Sequence, residues 1–268
     1  MAEPALRIFS YQPNPRIYKA TIAGRLCGVT IDVRGAAPAE LADWLWDFDA
    51  KPLDEQGRQD FAHAARTART GFGGTLYKTD AFLAAHPYGT VPAAFSADGS
   101  IGVFESNSIM RAVARLGGDG HGLYGDSPVA AARIDAFLDV NLIFARDSQI
   151  YLLALMKKEL QPDIHAATRE ALHHWLGGIE GALGNDAGFI TGSALSLADI
   201  SFACEMVLMR NELSSAEQLT VLGLTPMMGD ELAQLFPRAC AHFAQLCADP
   251  AFAPDLAPYL EKLAARAA

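Results

Sequence analysis

The sequence predicts a small α/β domain followed by an all-helical domain. Three observations carry that expectation. A strand–helix–strand unit opens the chain, and a second strand pair followed by a helix comes later in the first half. Strand signals then stop at Asp126-Ser127-Pro128, where helical periodicity takes over. The length, 268 residues, has room for one large domain or two small ones sharing an interface.

Leu6-Arg7-Ile8-Phe9-Ser10-Tyr11 reads as a short strand, stopped by the turn-forming Gln12-Pro13-Asn14-Pro15. Arg16 to Leu26 has helix-forming composition, with Pro15 tolerated in the first turn and Gly28 ending the helix. Val29-Thr30-Ile31-Asp32-Val33 alternates as a second strand, which completes a βαβ unit with parallel strands. Ala93 to Ser96 and Ile101 to Phe104 flank Asp98-Gly99, a strong hairpin signal. Glu105-Ser106-Asn107-Ser108 then leads into a helix over Ile109 to Leu116, stopped by Gly117-Gly118. The order βαβ then ββα is that of a thioredoxin-like sandwich, so residues 1–118 read as a thioredoxin-like domain and residues 127–268 as an all-α domain. In the second half, Ile134, Phe137, Leu138 and Leu142 recur at helical spacing. So do Leu172, Trp175, Leu176, Ile179 and Leu183, and again Leu256, Tyr259, Leu260 and Leu263, all as bundle core.

Composition excludes several classes. With 31 acidic against 21 basic side chains, the formal charge of −10 repels phosphate backbones, which argues against a nucleic-acid partner. No apolar run reaches the roughly 18 residues of a membrane span, and Met1-Ala2-Glu3-Pro4 lacks the parts of a signal peptide. Cys27, Cys204, Cys240 and Cys247 are too scattered for a disulfide framework or a metal finger, so buried thiols in a reducing compartment, the cytoplasm, are expected. His173-His174 point about 100° apart on a helix and lack a third ligand, so no metal is expected. Met206, Met209, Met227 and Met228 read as core or pocket lining.

Two segments point to a ligand. Val91-Pro92 stands at a strand start, where proline marks an edge or a special turn, trans or cis. Glu105-Ser106 stands where a strand feeds a helix, whose first N–H groups are unpaired and partially positive. An acceptor carboxylate beside an anion hole suits the α-amino and α-carboxyl groups of an amino acid, although Ser106 also suits a plain N-cap. The same pieces in the same order resemble the glutathione S-transferase family. The likeness runs through Tyr88-Gly89-Thr90-Val91-Pro92-Ala93, Phe104-Glu105-Ser106-Asn107-Ser108-Ile109 and Gly192 to Ile200. In that last segment Ser196 and Asp199 form a capping box. The resemblance implies a cis Val91–Pro92 bond. Around Tyr11, Asn14, Arg16, Tyr18-Lys19-Ala20 and Ile22-Ala23, and again at Phe82-Leu83 before His86-Pro87, the chain looks most like the gamma subunit of the eukaryotic elongation-factor 1B complex and its theta- and nu-like relatives. That subgroup is not uniformly catalytic.

The resemblance implies glutathione as co-substrate, bound by Lys78, Thr90, Val91, Pro92, Glu105 and Ser106. The reactive species is the thiolate, which a donor in the loop after the first strand would stabilise. Asn14 is the favoured donor, with Ser10 and Tyr11 as alternatives; Asn14 also suits an N-cap. His86 stands where the family often has Asn. The segment from Gly35 to Tyr77 is enlarged over a minimal transferase domain. It carries Trp44, Trp46 and Phe48, then Gly71-Phe72-Gly73-Gly74 as a hinge or lid, and either walls an aromatic substrate site or packs internally. The expected protein is a dimeric glutathione transferase, a homodimer or a dimer with a paralogue. Its apolar, aromatic electrophile would enter from the helical domain, near Leu142 to Tyr151 and the tail of the helix begun by Ser196, and be attacked with thioether formation, as in aryl ether cleavage or dehalogenation. The competing readings are a non-catalytic binding or assembly module, which the chain's end at Ala268 without an appended module counts against, and a glutathione-dependent peroxidase or disulfide reductase.

Overall fold

The computed structural model describes residues 3–68, 72–184 and 188–267, which divide into two compact units, Met1–Gly118 and Asp119–Ala268. The first unit opens with β1 (Leu6–Phe9), α1 (Pro15–Cys27) and β2 (Ile31–Arg34), the two strands running parallel with Leu6 opposite Ile31 and Phe9 opposite Arg34. Asn14 caps α1 by accepting the Arg16 N–H, Pro15 occupies the first helical position, and Gly28 ends the helix at φ 68°. Only glycine reaches that left-handed conformation at little cost.

Between β2 and the next shared strand the chain builds a second sheet. Its elements are β3 (Trp44–Trp46), β4 (Lys51–Pro52), α2 (Glu55–Asp60), β5 (Ala65–Thr67) and β6 (Thr75–Lys78). The strand order is β4-β3-β6-β5, with β3 and β6 parallel and the outer pairs antiparallel. The sequence predicts no strands here. These strands are two to four residues long, too short for alternation to register. Gly71, the first residue of the expected hinge, lies outside the described residues.

After α3 (Asp80–Ala85) come β7 (Ala93–Ser96), β8 (Gly102–Phe104) and α4 (Ser106–Leu116), and the first sheet has the order β2-β1-β7-β8. The helix expected from Ile109 begins three residues earlier, at Ser106. One aromatic core joins the two sheets: Phe9, Ala93 and Phe95 from the first meet Leu41, Trp46 and Leu76 of the insertion, with Phe82 of α3. Trp46 is 1% exposed and Trp44 stacks against Phe9, so the insertion's tryptophans pack internally. Gly35, at φ 140°, closes the turn after β2 so tightly that a Cβ there would lie 1.7 Å from the Ser10 carbonyl oxygen.

The second unit is helical: α5 (Pro128–Lys157), α6 (Pro162–Leu183), α7 (Leu197–Met209), α8 (Ala216–Val221), α9 (Glu231–Leu235), α10 (Pro237–Ala248) and α11 (Ala253–Ala267). Ser127 caps α5 through the Ala130 N–H. Ile134 and Leu138 are buried as expected, but Leu142 is exposed. Over this long helix the buried stripe drifts through Asn141, Phe144, Ser148 and Tyr151, so a phase set at its first two turns misses by one residue at the third. No helix among the described residues is long and apolar enough to cross a membrane.

Candidate glutathione site

Strand register gathers the candidate residues at one end of the first sheet. Phe9 pairs with Ala93, and Ala93 pairs with Phe104. The residues that follow β1, precede β7 and follow β8 therefore meet there: Ser10 to Asn14, Thr90 to Pro92, and Glu105 with Ser106.

Val91–Pro92 is a cis peptide bond, and both residues are half-buried while Thr90 is exposed. Gln12–Pro13, in the turn expected after β1, is also cis. Glu105 sits at φ 66°, an uncommon conformation for a residue with a side chain, and its carboxylate is exposed and without an ion pair or hydrogen bond among the described residues. No side chain caps α4, so the N-terminus that begins at Ser106 presents its first-turn N–H groups to an incoming acceptor. An ammonium acceptor and an anion-binding helix end thus stand side by side.

Lys78 ends β6 over the Trp46 ring, 4.6 Å from its centroid, and donates to the Gly89 carbonyl oxygen at 2.6 Å. It is tied to the turn that carries Thr90 and Val91. The three thiol-activating candidates fare differently. Asn14 and Ser10 are 1% and 0% exposed, and the Asn14 amide Nδ2 donates to Ser10 Oγ at 3.2 Å while its Oδ1 caps α1. Tyr11 is half-buried, edge-on to Phe72 at 6.4 Å, and alone of the three keeps solvent access.

His86, just before this turn, is 1% exposed among Phe82, Phe95 and Phe104, and neither ring nitrogen has a hydrogen-bond partner. Burial pushes its pKa down to about 4, against a smaller opposing influence of the Ala94 backbone. A histidine whose folded pKa lies below its unfolded value near 6.5 contributes stability that is complete above that value and is lost as pH falls toward 4. The thermal midpoint of the wild type is therefore expected to fall faster than that of His86→Leu between these two pH values, and parallel curves would remove His86 as the cause.

One buried contact beneath α4 has no local signature in the sequence: Lys19 Nζ of α1 donates to Asn107 Oδ1 at 2.9 Å. Its only trace in the chain is that each residue lies in a stretch carrying the family resemblance. In the helical unit, Ser196 and Asp199 form the expected capping box, and Asp199 also accepts from Ile190 N–H and lies 2.8 Å from His242 Nε2. His173 packs edge-on to Phe236, and no group of three metal-ligating side chains occurs among the described residues.

Comparison with known proteins places this architecture. The structure superimposes on an epsilon-class glutathione S-transferase from the housefly, Musca domestica, with a TM-score of 0.61 over 97% of this chain and 98% of that one, at 13% identity. The chain has the glutathione S-transferase fold. A glutathione transferase family member from Pseudomonas fluorescens, solved with two glutathione molecules bound, matches with a TM-score of 0.62 over 95% of this chain and 93% of the other, at 18% identity. In sequence, the chain is 34% identical over 135 residues to a probable elongation factor 1-gamma 1 of Arabidopsis thaliana, covering 50% of this chain. It is 29% identical over 187 residues to elongation factor 1-gamma of Prunus avium, covering 67% of this chain. It spans 24% and 39% of the length of these two relatives. No family model matches. The resemblance drawn from the motifs, to glutathione S-transferases and to the elongation-factor gamma subunit among them, agrees with both sets of matches.

Proposed function

We propose that this protein binds glutathione at the shared sheet end and uses its thiolate to attack an apolar, aromatic electrophile. The observation that carries the reading is the meeting of cis Val91–Pro92 with the uncapped α4 N-terminus and the unpaired Glu105 carboxylate. Ser106 and the first N–H groups of α4 take the γ-glutamyl carboxylate, Glu105 takes its ammonium group, and the backbone beside Val91 takes the peptide. Lys78, held against Gly89, lies at the glycine end. Tyr11 is the accessible donor for the sulfur; Asn14 and Ser10, bonded to each other, hold its loop in place. In the chemical step the sulfur forms a bond to the electrophilic carbon as the leaving group departs with its electron pair, whether an aryloxide or a halide. The protein acts as a cytoplasmic dimer.

Titration with glutathione, followed by heat and by thiolate absorbance, tests this. Ser106→Ala is expected to weaken binding about tenfold, the loss of one hydrogen bond to a charged group. Tyr11→Phe is expected to suppress the thiolate signal without abolishing binding, and Asn14→Ala to lower stability more than signal. No binding to the wild type at millimolar glutathione would sink the proposal. The enclosure of Asn14 and Ser10, together with the elongation-factor relatives, supports a second reading: a non-catalytic module that binds glutathione without ionising it. That reading predicts binding heat with no thiolate absorbance in any variant.

A further inference from the structure

One face of α6 lines a cleft of about 540 Å³ within the helical unit. Pro162, Ala166, Arg169 and His173 stand three or four residues apart, so they form a single row about 16 Å long. Gly223, Leu224 and Thr225, which follow α8, complete the lining. The row is graded: it begins apolar at Pro162 and Ala166 and ends polar at Arg169, with its neighbour Glu170, and at His173.

Withdrawing a charge from water is costly unless a partner answers it. Arg169 is half-buried, yet among the described residues no carboxylate pairs with it. There its guanidinium makes one hydrogen bond, from Nη2 to the Thr225 carbonyl oxygen at 3.1 Å, and the other N–H groups stay uncommitted. The same oxygen lies 3.0 Å from Nε2 of His165, a side chain only 3% exposed. A carbonyl only accepts, so Nε2 carries the proton, and the buried imidazole holds in place the oxygen that orients Arg169. Glu170 lines the same cleft, is exposed, and its carboxylate likewise has no partner among the described residues. A simple anion would be drawn to Arg169 and repelled by Glu170, and a simple cation the reverse. A zwitterion with its two charges one carbon apart meets both with the right sign, and a carboxylate fits the guanidinium fork.

We propose that this cleft binds an apolar α-amino acid. The α-carboxylate lies on Arg169, the α-ammonium on Glu170, and the side chain runs along Pro162 and Ala166 beneath Leu224.

Calorimetric titration with three probes of one carbon skeleton tests this: L-leucine, L-leucinamide, which lacks the carboxylate, and 4-methylpentanoate, which lacks the ammonium. The wild type is expected to bind leucine about tenfold more tightly than either analogue, the worth of one hydrogen bond between charged groups. Arg169→Gln is expected to weaken leucine about tenfold and leucinamide less than twofold. Glu170→Gln is expected to weaken leucine about tenfold and to tighten 4-methylpentanoate, whose carboxylate no longer meets a like charge. Glu170 is exposed, so this variant carries the test if Arg169→Gln fails to fold. Ser106→Ala should leave leucine affinity unchanged. Leucine binding lost there and kept in Arg169→Gln would place the amino acid at the glutathione site and overturn the assignment. No leucine binding at millimolar concentration, equal affinity for the three probes, or no effect of Glu170→Gln would overturn it too, and none of these results bears on glutathione.

Discussion

Asp199→Ala is expected to destabilise the helical unit by about 3–5 kcal/mol, the cost of removing one partner from a buried charged network. Asp199 is fully buried at the start of α7, and its two oxygens serve four donors. Oδ2 accepts from the Ser196 N–H and the Ser196 hydroxyl, each at 2.9 Å; Oδ1 accepts from the Ile190 N–H at 3.0 Å and lies 2.8 Å from His242 Nε2. Removing the carboxylate leaves buried donors on three different segments without a partner, and each unsatisfied group costs about 1–3 kcal/mol. The loop before α7, the start of α7 and α10 then lose the group that ties them together. Asp199→Asn keeps the shape but brings an N–H of its own against the donors, so it should recover less than half of the loss. His242→Ala removes one of the four contacts and should cost about 1–2 kcal/mol. Urea denaturation monitored by far-ultraviolet circular dichroism measures all three. A loss below about 1 kcal/mol in Asp199→Ala would mean that water replaces the carboxylate, contrary to the enclosure described here.

What could be read in the chain was whatever is written in neighbouring residues. Asp98-Gly99 specifies its own hairpin, Ser196 and Asp199 specify their own cap, and Gly28 specifies the end of α1, because each works within a few positions. The sheet end at Val91 and Ser106 was legible for the same reason: both motifs sit where a strand begins or ends, and strand order did the rest. Three features depended on distant partners and were not legible. Lys19 finds Asn107 across 88 positions, and nothing local tells a buried lysine from a solvated one. Asn14 reads as a donor with a cap as the alternative, and only the placement of Ser10 Oγ decides what its amide does. The second sheet rests on strands shorter than any periodicity can reveal, paired in an order that crosses the insertion.

That second sheet makes its strongest prediction at Trp46. Trp46→Ala is expected to cost about 3–5 kcal/mol, a large part of the 5–15 kcal/mol that holds a typical domain together. The indole is 1% exposed and is met edge-on by Phe9 at 5.4 Å, Phe72 at 5.5 Å and Phe82 at 5.8 Å, while its Nε1–H donates to the Leu41 carbonyl at 3.1 Å. Phe9 belongs to the first sheet and Trp46 to the second, so truncation opens a cavity in the core the two sheets share. Trp46→Phe fills most of that volume and should recover more than half of the loss, leaving the Leu41 carbonyl as the residual cost. The site feels the change through Lys78, whose ammonium rests 4.6 Å above the same ring while it holds Gly89. With the ring gone, the lysine loses its platform and the turn that carries Thr90 and Val91 loses its tether. Glutathione affinity should then fall in Trp46→Ala even at temperatures where the variant is fully folded, and should be largely restored in Trp46→Phe, whose ring still supports the cation. Equal affinity in the folded fractions of all three proteins would show that the insertion stabilises the domain without setting the site. A graded loss, alanine far below phenylalanine, would make the insertion's core the support on which the glycine end of the site is built.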